Sequence, residues 1–345
     1  QNVIINKLSA EFSSELNNLG VRVGALEKKV GTIKMTGDAR VGYAHYQKDS
    51  TPQEKDNHFY QRLRLDMNAD INENTSFFGR VTVLNDNKMG TAGDGDRLFI
   101  SDAAFTTKNI FNSEKTSVTV GRFTQAFLAT GYWADTPGLV DGIKFDVGNK
   151  LKATIGYGSF KAVTNLSAAD LAAGEIQLDK AYFANFEYPM TDKITLNALY
   201  LKEVNNNIGN RFNVWGVGGS IDLNKDFKLT ADYTENKDYF ADVATPNIKT
   251  KAKAYAARLS YKGAEQEEKG SWGAYIENFR FNKGSFVPEM TGAEINIDVI
   301  KGWSVGFNYT LAKNVVMEAM HQFNSKDVVT GDKVKFSRVQ VNYLF

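Results

Sequence analysis

The chain has 345 residues, with 41 Lys and Arg against 40 Asp and Glu, no Cys, 3 His, 5 Pro, 23 Phe and 15 Tyr. The near-zero net charge gives no electrostatic bias toward nucleic acid. The missing Cys excludes disulfide scaffolds, Cys-ligated zinc, iron–sulfur clusters and thiol nucleophiles. His45, His58 and His321 are too scattered for a His-based metal or triad site. No apolar run approaches 18 residues, so no transmembrane helix is expected. The chain starts at Gln1 without a charged and apolar leader, which reads as a processed product.

Residues 1–32 carry a period of about 3.5. Leu16, Leu19, Val23, Leu26 and Val30 form an apolar a/d seam. Gly20 and Gly24 each cost about 1 kcal/mol of helix propensity, so a lone helix here is marginal in water. Two readings stand: a coiled coil between copies of the chain, forming a periplasmic stalk, or an amphipathic helix packed on its own domain.

From Ile33 the period becomes 2. Val41 and Tyr43 alternate with Arg40; Leu63, Leu65 and Met67 alternate with Arg62, Arg64 and Asp66. The pattern returns at 151–157, 182–188, 194–200, 227–233, 305–309 and 339–345. The segments run about 9–14 residues, against about 5–6 for soluble sheets, and strands of 9–11 tilted residues are what a bilayer needs. Short connections at 71–76, 147–151, 188–193, 223–227 and 311–315 alternate with long ones at 47–57, 86–96, 122–140, 161–177, 204–211, 240–250, 282–302 and 325–334. Loop lengths segregated in this way predict an all-β transmembrane barrel over 33–345. Sixteen antiparallel strands are expected, with 14 or 18 as alternatives. The segment 97–108 alternates poorly, and 290–300 reads as loop or strand tip. A barrel of this size leaves an aqueous channel.

On the water-facing parity, Arg40, Arg62, Arg64 and Arg80 fall on the first three strands and Arg338 on the last, which pairs with the first on closure. They form either a basic wall at a constriction or salt bridges with Asp38, Asp66 or Asp70. The loop 121–145 (GRFTQAFLATGYWADTPGLVDGIKF) is unusually apolar. It either folds into the lumen, bringing Arg122, Asp135 and Asp141 to a constriction, or packs on a neighbouring subunit. With the carboxylates opposite the arginines, a transverse field would favour small polar solutes. The segment GVGGS (216–220) lacks a dinucleotide-site context and reads as small residues where something packs closely. The calcium-loop echo at 85–96 has Met89 at a position requiring oxygen, so no metal is expected. No cofactor or enzymatic motif is present.

GRF-x-Q, GYW-x-D and VDGI-K-F, followed by GW-x-VG-x-NY-x-LAKNV near the C-terminus, resemble the OmpM-type porins of diderm Firmicutes. The resemblance covers essentially the whole chain. It implies an outer-membrane homotrimer in contact with lipid and lipopolysaccharide, passing small hydrophilic solutes and ions. It also implies a coiled-coil stalk and an S-layer homology domain that binds the cell wall. That domain is not in this sequence, so a tether to peptidoglycan is implied only through a region upstream of Gln1. The alternative is a structural anchor with incidental pore activity. VQVNYLF, with Val341, Tyr343 and Phe345 alternating, resembles the terminal signal read by the barrel-assembly machinery.

Overall fold

The computed structural model describes residues 33–48, 56–88, 97–130, 132, 139–160, 178–204, 212–238, 252–282, 284–285 and 300–345. The proposed helix, with Leu16, Leu19, Val23, Leu26 and Val30, lies outside the described residues.

Sixteen strands follow in chain order: β1 Ile33–Lys48, β2 Asp56–Asp70, β3 Thr75–Lys88, β4 Arg97–Lys108, β5 Thr116–Thr124, β6 Leu139–Gly148, β7 Lys152–Ser159, β8 Lys180–Pro189, β9 Ile194–Val204, β10 Asn213–Asp222, β11 Phe227–Asn236, β12 Ala252–Lys262, β13 Trp272–Phe281, β14 Ile300–Ala312, β15 Val315–Asp327 and β16 Lys333–Leu344. Each pairs antiparallel with its chain neighbours, and β1 pairs with β16, so the sheet closes on itself. A closed sheet satisfies every strand's backbone groups without an edge, which hydrocarbon demands. At the seam the Gly37 amide donates to the Phe345 carbonyl at 2.7 Å, and the Phe345 amide to the Gly37 carbonyl at 3.0 Å.

Alternation sorts the side chains into two surfaces. Val41, Tyr43, Phe59, Val120, Phe145, Ile155, Leu196, Trp303 and Val305 are exposed on the outer face. The opposite parity points inward, and on β1–β4 and β15–β16 it carries charged and polar residues beside a buried cluster of Ala44, Tyr60 and Phe336. Strand 97–108 exists despite its poor alternation, because a bulge sits there. Arg80 pairs with Asp102 and Val81 with Ile100, leaving Ser101 as the extra residue. The connection after β15 is shorter than expected. The Asp327 carboxylate accepts the Val329 and Thr330 amides at 2.7 and 3.0 Å and turns the chain within 328–332.

The lumen is not uniformly polar. Inward side chains on β6–β14, including Val140, Phe183, Leu201, Val214, Phe279 and Phe281, form an apolar cluster. This cluster is what the inward loop packs on.

Candidate functional site

The segment after β5 turns into the barrel. Its described residues, 125–130 and 132, run along the inner wall toward β13. Phe127 is fully buried and packs against Phe160 and Phe183 at centroid distances of 6.4 and 5.5 Å. Apolar area removed from water contributes about 25 cal/mol per Å², so an aromatic anchor of this kind holds the turn firmly.

Polar contacts complete the attachment. The Leu128 amide donates to Asn185 Oδ1 on β8 at 3.4 Å. On β11, Asp232 accepts the Ala129 amide at 3.1 Å, and its Oδ2 also accepts the Thr130 amide at 2.6 Å and the Thr130 hydroxyl at 2.5 Å. Tyr132 donates its hydroxyl to Glu277 on β13. Burial first, and then the Glu277 carboxylate, hold that phenol well above its ordinary range, so it stays a donor. Glu277 is itself buried and is held by Arg258 Nε and Nη2, each at 3.2 Å, and by the Ser304 hydroxyl at 3.3 Å.

Two glycines of the GVGGS segment make room for the loop. A Cβ at Gly216 would come within 3.0 Å of Leu128 Cδ1, and one at Gly218 would collide with Asp232 Oδ1. The small residues there sit where another segment packs closely, as their composition suggested.

The five arginines share one wall. Arg40 on β1 lies opposite Arg62 on β2, and Asp38 lies opposite Arg64. Asp66 lies opposite Arg80, and Arg80 opposite Asp102. Arg338 on β16 shares the inward parity with buried Phe336 and Gln340. Carboxylates interleave with the arginines. Arg62 Nη2 donates to Asp38 Oδ1 at 2.7 Å. Arg80 grips Asp66 with two bonds, at 2.5 and 2.7 Å. Arg40 Nε donates to Asn342 Oδ1 at 2.7 Å. The wall mixes arginines and carboxylates: Arg40 and Arg62 face each other as like charges, while Asp38 and Asp66 form salt bridges with Arg62 and Arg80.

In a ring of sixteen, β16 and β1–β3 stand opposite β8–β11. The stretch 128–130 is anchored on β8 and β11. The charged wall therefore faces the wall that carries the loop.

The charged residues expected on the loop sit elsewhere. Asp135 lies outside the described residues. Arg122 and Asp141 lie opposite each other in the β5–β6 register, on the parity of exposed Val120 and Ile143, and so point to the outer face rather than the lumen. Their side chains form a two-bond pair at 2.6 and 2.8 Å. The reason is that both still belong to strands, whose pleat dictates their side. On the wall facing the arginines the lumenal carboxylate is Asp232 on β11, which comes from the wall and not from the described part of the loop, whereas Glu277 on β13 lies three strands from Arg338 on β16.

Arg122 and Asp102 also close a gap. β4 and β5 pair only across Ala103–Lys108 and Ser117–Arg122 among the described residues. Above that, Arg122 Nη1 donates to the Ile100 carbonyl at 3.1 Å, and Asp102 Oδ1 accepts the Thr124 amide at 2.8 Å. Sequence reading missed the anchors Asp232, Glu277 and Tyr132 as partners. For Asp232 the signal was a carboxylate at a lumen-facing position on a strand far from the arginines, whereas Tyr132 was visible only as part of the apolar loop.

No protein-family model matches the chain, and no curated protein matches it. Solved structures do. Salmonella typhi OmpF in complex with daunomycin aligns with a TM-score of 0.61 at 14% identity, covering 91% of this chain and 97% of that one. A multiply substituted Rh. blastica porin aligns at 0.57 and 15%, covering 91% and 100%. A third chain, from work on the asymmetric conductivity of engineered proteins, aligns at 0.57 and 16%, also covering 91% and 100%. At this identity the likeness establishes the porin fold.

Proposed function

We propose that the chain is an outer-membrane porin, a water-filled channel for passive diffusion of small hydrophilic solutes and ions. One observation carries the reading. A closed sixteen-strand barrel exposes an apolar outer face and keeps a charged wall inside, opposite an anchored inward loop. Apolar surface outside and fixed charge inside suit a wall between lipid and water. The channel performs no bond chemistry. Arg40, Arg62, Arg64, Arg80 and Arg338 form its constriction wall and orient dipolar solutes through the local field.

The finer assignments belong to the same proposal. The chain is of the OmpM type, works as a homotrimer in contact with outer-membrane lipid and lipopolysaccharide, and carries its stalk, residues 1–32, in the periplasm. Val341, Tyr343 and Phe345 present the assembly signal. Linkage to peptidoglycan would run through a domain upstream of this sequence. Planar-bilayer recording of the purified protein tests the channel: stable open steps are expected, and a protein that inserts without them would defeat the reading.

A further inference from the structure

The register places four cations in one line on the outer face, at the end of the barrel that carries the long connections. Arg280 on β13 lies opposite Lys301 on β14, Lys301 opposite Lys326 on β15, and Lys326 opposite Lys333 on β16. All four point outward, because their strand neighbours Phe279, Ile300, Asp327 and Val334 are buried on the lumenal side. The three lysines are exposed. Like charges directly across a strand pair repel. No carboxylate pairs with the row among the described residues. Arg280 Nε donates only to the neutral Asn282 amide oxygen, at 3.1 Å, and nearby Asp327 is engaged by Lys48 at 2.9 Å.

Below the row the outer face carries Asn278, Trp303, Phe323 and exposed Lys335 on successive strands. Trp303, 40% exposed, lies opposite Phe323, and exposed Val305 follows. An aromatic edge beneath a line of cations is the profile of a membrane interface, where anionic headgroups meet acyl chains. Three strand spacings of about 4.8 Å make the row roughly 15 Å long. That is longer than one phosphate and suits a lipid carrying two or more. A flat outer face offers no enclosure for a free ion.

We propose that Arg280, Lys301, Lys326 and Lys333 bind the phosphate groups of a multiply phosphorylated outer-leaflet lipid, whose acyl chains rest on Trp303 and Phe323. The proposal rests on the membrane-barrel reading and its lipid contact, and adds the residues that form the site. Each cation near an anionic surface contributes about 1 kcal/mol, roughly fivefold in affinity, so three lysines together account for about 100-fold.

The test uses the full chain in phosphatidylethanolamine vesicles with and without diphosphorylated lipid A, with retained lipid A counted by native mass spectrometry. The K301Q/K326Q/K333Q variant is expected to lose lipid A retention about 100-fold while keeping heat-modifiable gel migration and the conductance steps of the parent. The K301R/K326R/K333R variant is expected to retain the lipid. Equal retention by the glutamine variant overturns the proposal, as does equally effective displacement by inorganic phosphate, which would mark a free-anion site. Should the triple variant not fold, salt titration of the parent decides: retention indifferent to ionic strength overturns the proposal. Absent conductance in the parent would defeat the channel reading alone, since lipid retention is measured independently.

Discussion

Thr130 gives both its backbone N–H and its hydroxyl to a single carboxylate oxygen of Asp232, at 2.6 and 2.5 Å. One side chain on β11 thus fixes the inward loop at the wall facing the arginines. Hydrogen bonds to a charged acceptor contribute about 1.5–3 kcal/mol each, more than neutral ones. Together with the buried Phe127 ring and the Tyr132–Glu277 contact, they make the loop part of the wall.

Asp232→Asn should therefore loosen the loop without opening the barrel. Single-channel recordings are expected to show added flicker and a broader spread of open steps. Thr130→Val, which removes only the hydroxyl contact, should show a smaller change in the same direction. Recordings indistinguishable from the parent for both variants would remove Asp232 as the anchor.

Gly218→Val supplies an independent check. A Cβ there collides with Asp232 Oδ1. The variant should reproduce the Asp232→Asn recordings, with an overpacking cost of about 1–3 kcal/mol seen as a lower unfolding temperature. A variant as quiet as the parent would mean that the carboxylate can move without consequence.

The charged wall predicts opposite shifts from opposite charge changes. Arg62→Glu with Arg64→Glu should move the reversal potential in a salt gradient toward cation preference. Asp38→Asn with Asp66→Asn should move it toward anion preference, because the same wall keeps its arginines and loses their partners at 2.7 and 2.5 Å. Unchanged reversal potentials in both would show that the wall lines the lumen without selecting.

Closure of the sheet depends on a residue without a side chain. A Cβ at Gly37 would come within 2.4 Å of the Arg64 carbonyl oxygen on β2 and within 2.9 Å of the Phe345 ring. Gly37→Val should displace the terminal Phe and strain the pairing of β1 with both β16 and β2. The expected result is a lower yield of heat-modifiable folded barrel in a pulse-chase assembly assay, and a yield equal to the parent would separate the seam from assembly.

Removal of residues 1–32 tests the stalk. The outer barrel walls are expected to hold the proposed trimer by themselves, so chemical crosslinking should still give a three-chain band. Collapse to one chain would assign trimerisation to the Leu16–Val30 seam.

Much of this architecture is legible locally. A period of 2 is a property of neighbouring residues, so the strand positions, the outward Val41 and Tyr43, and the inward Arg40, Arg62, Arg64 and Arg80 follow from the amino-acid order alone. The alternation of short and long connections was also enough to predict the barrel. Pairing partners are different, because they depend on register across strands distant in the chain. That Arg80 grips Asp66, that Asp232 holds Thr130 from 102 residues away, and that four cations line up from Arg280 to Lys333 were settled only when the sheet closed. Arg122 and Asp141 show the boundary between the two kinds of information. Taken as loop residues they had no defined side. As strand residues, the pleat that turns Phe123 and Val140 inward turns them out.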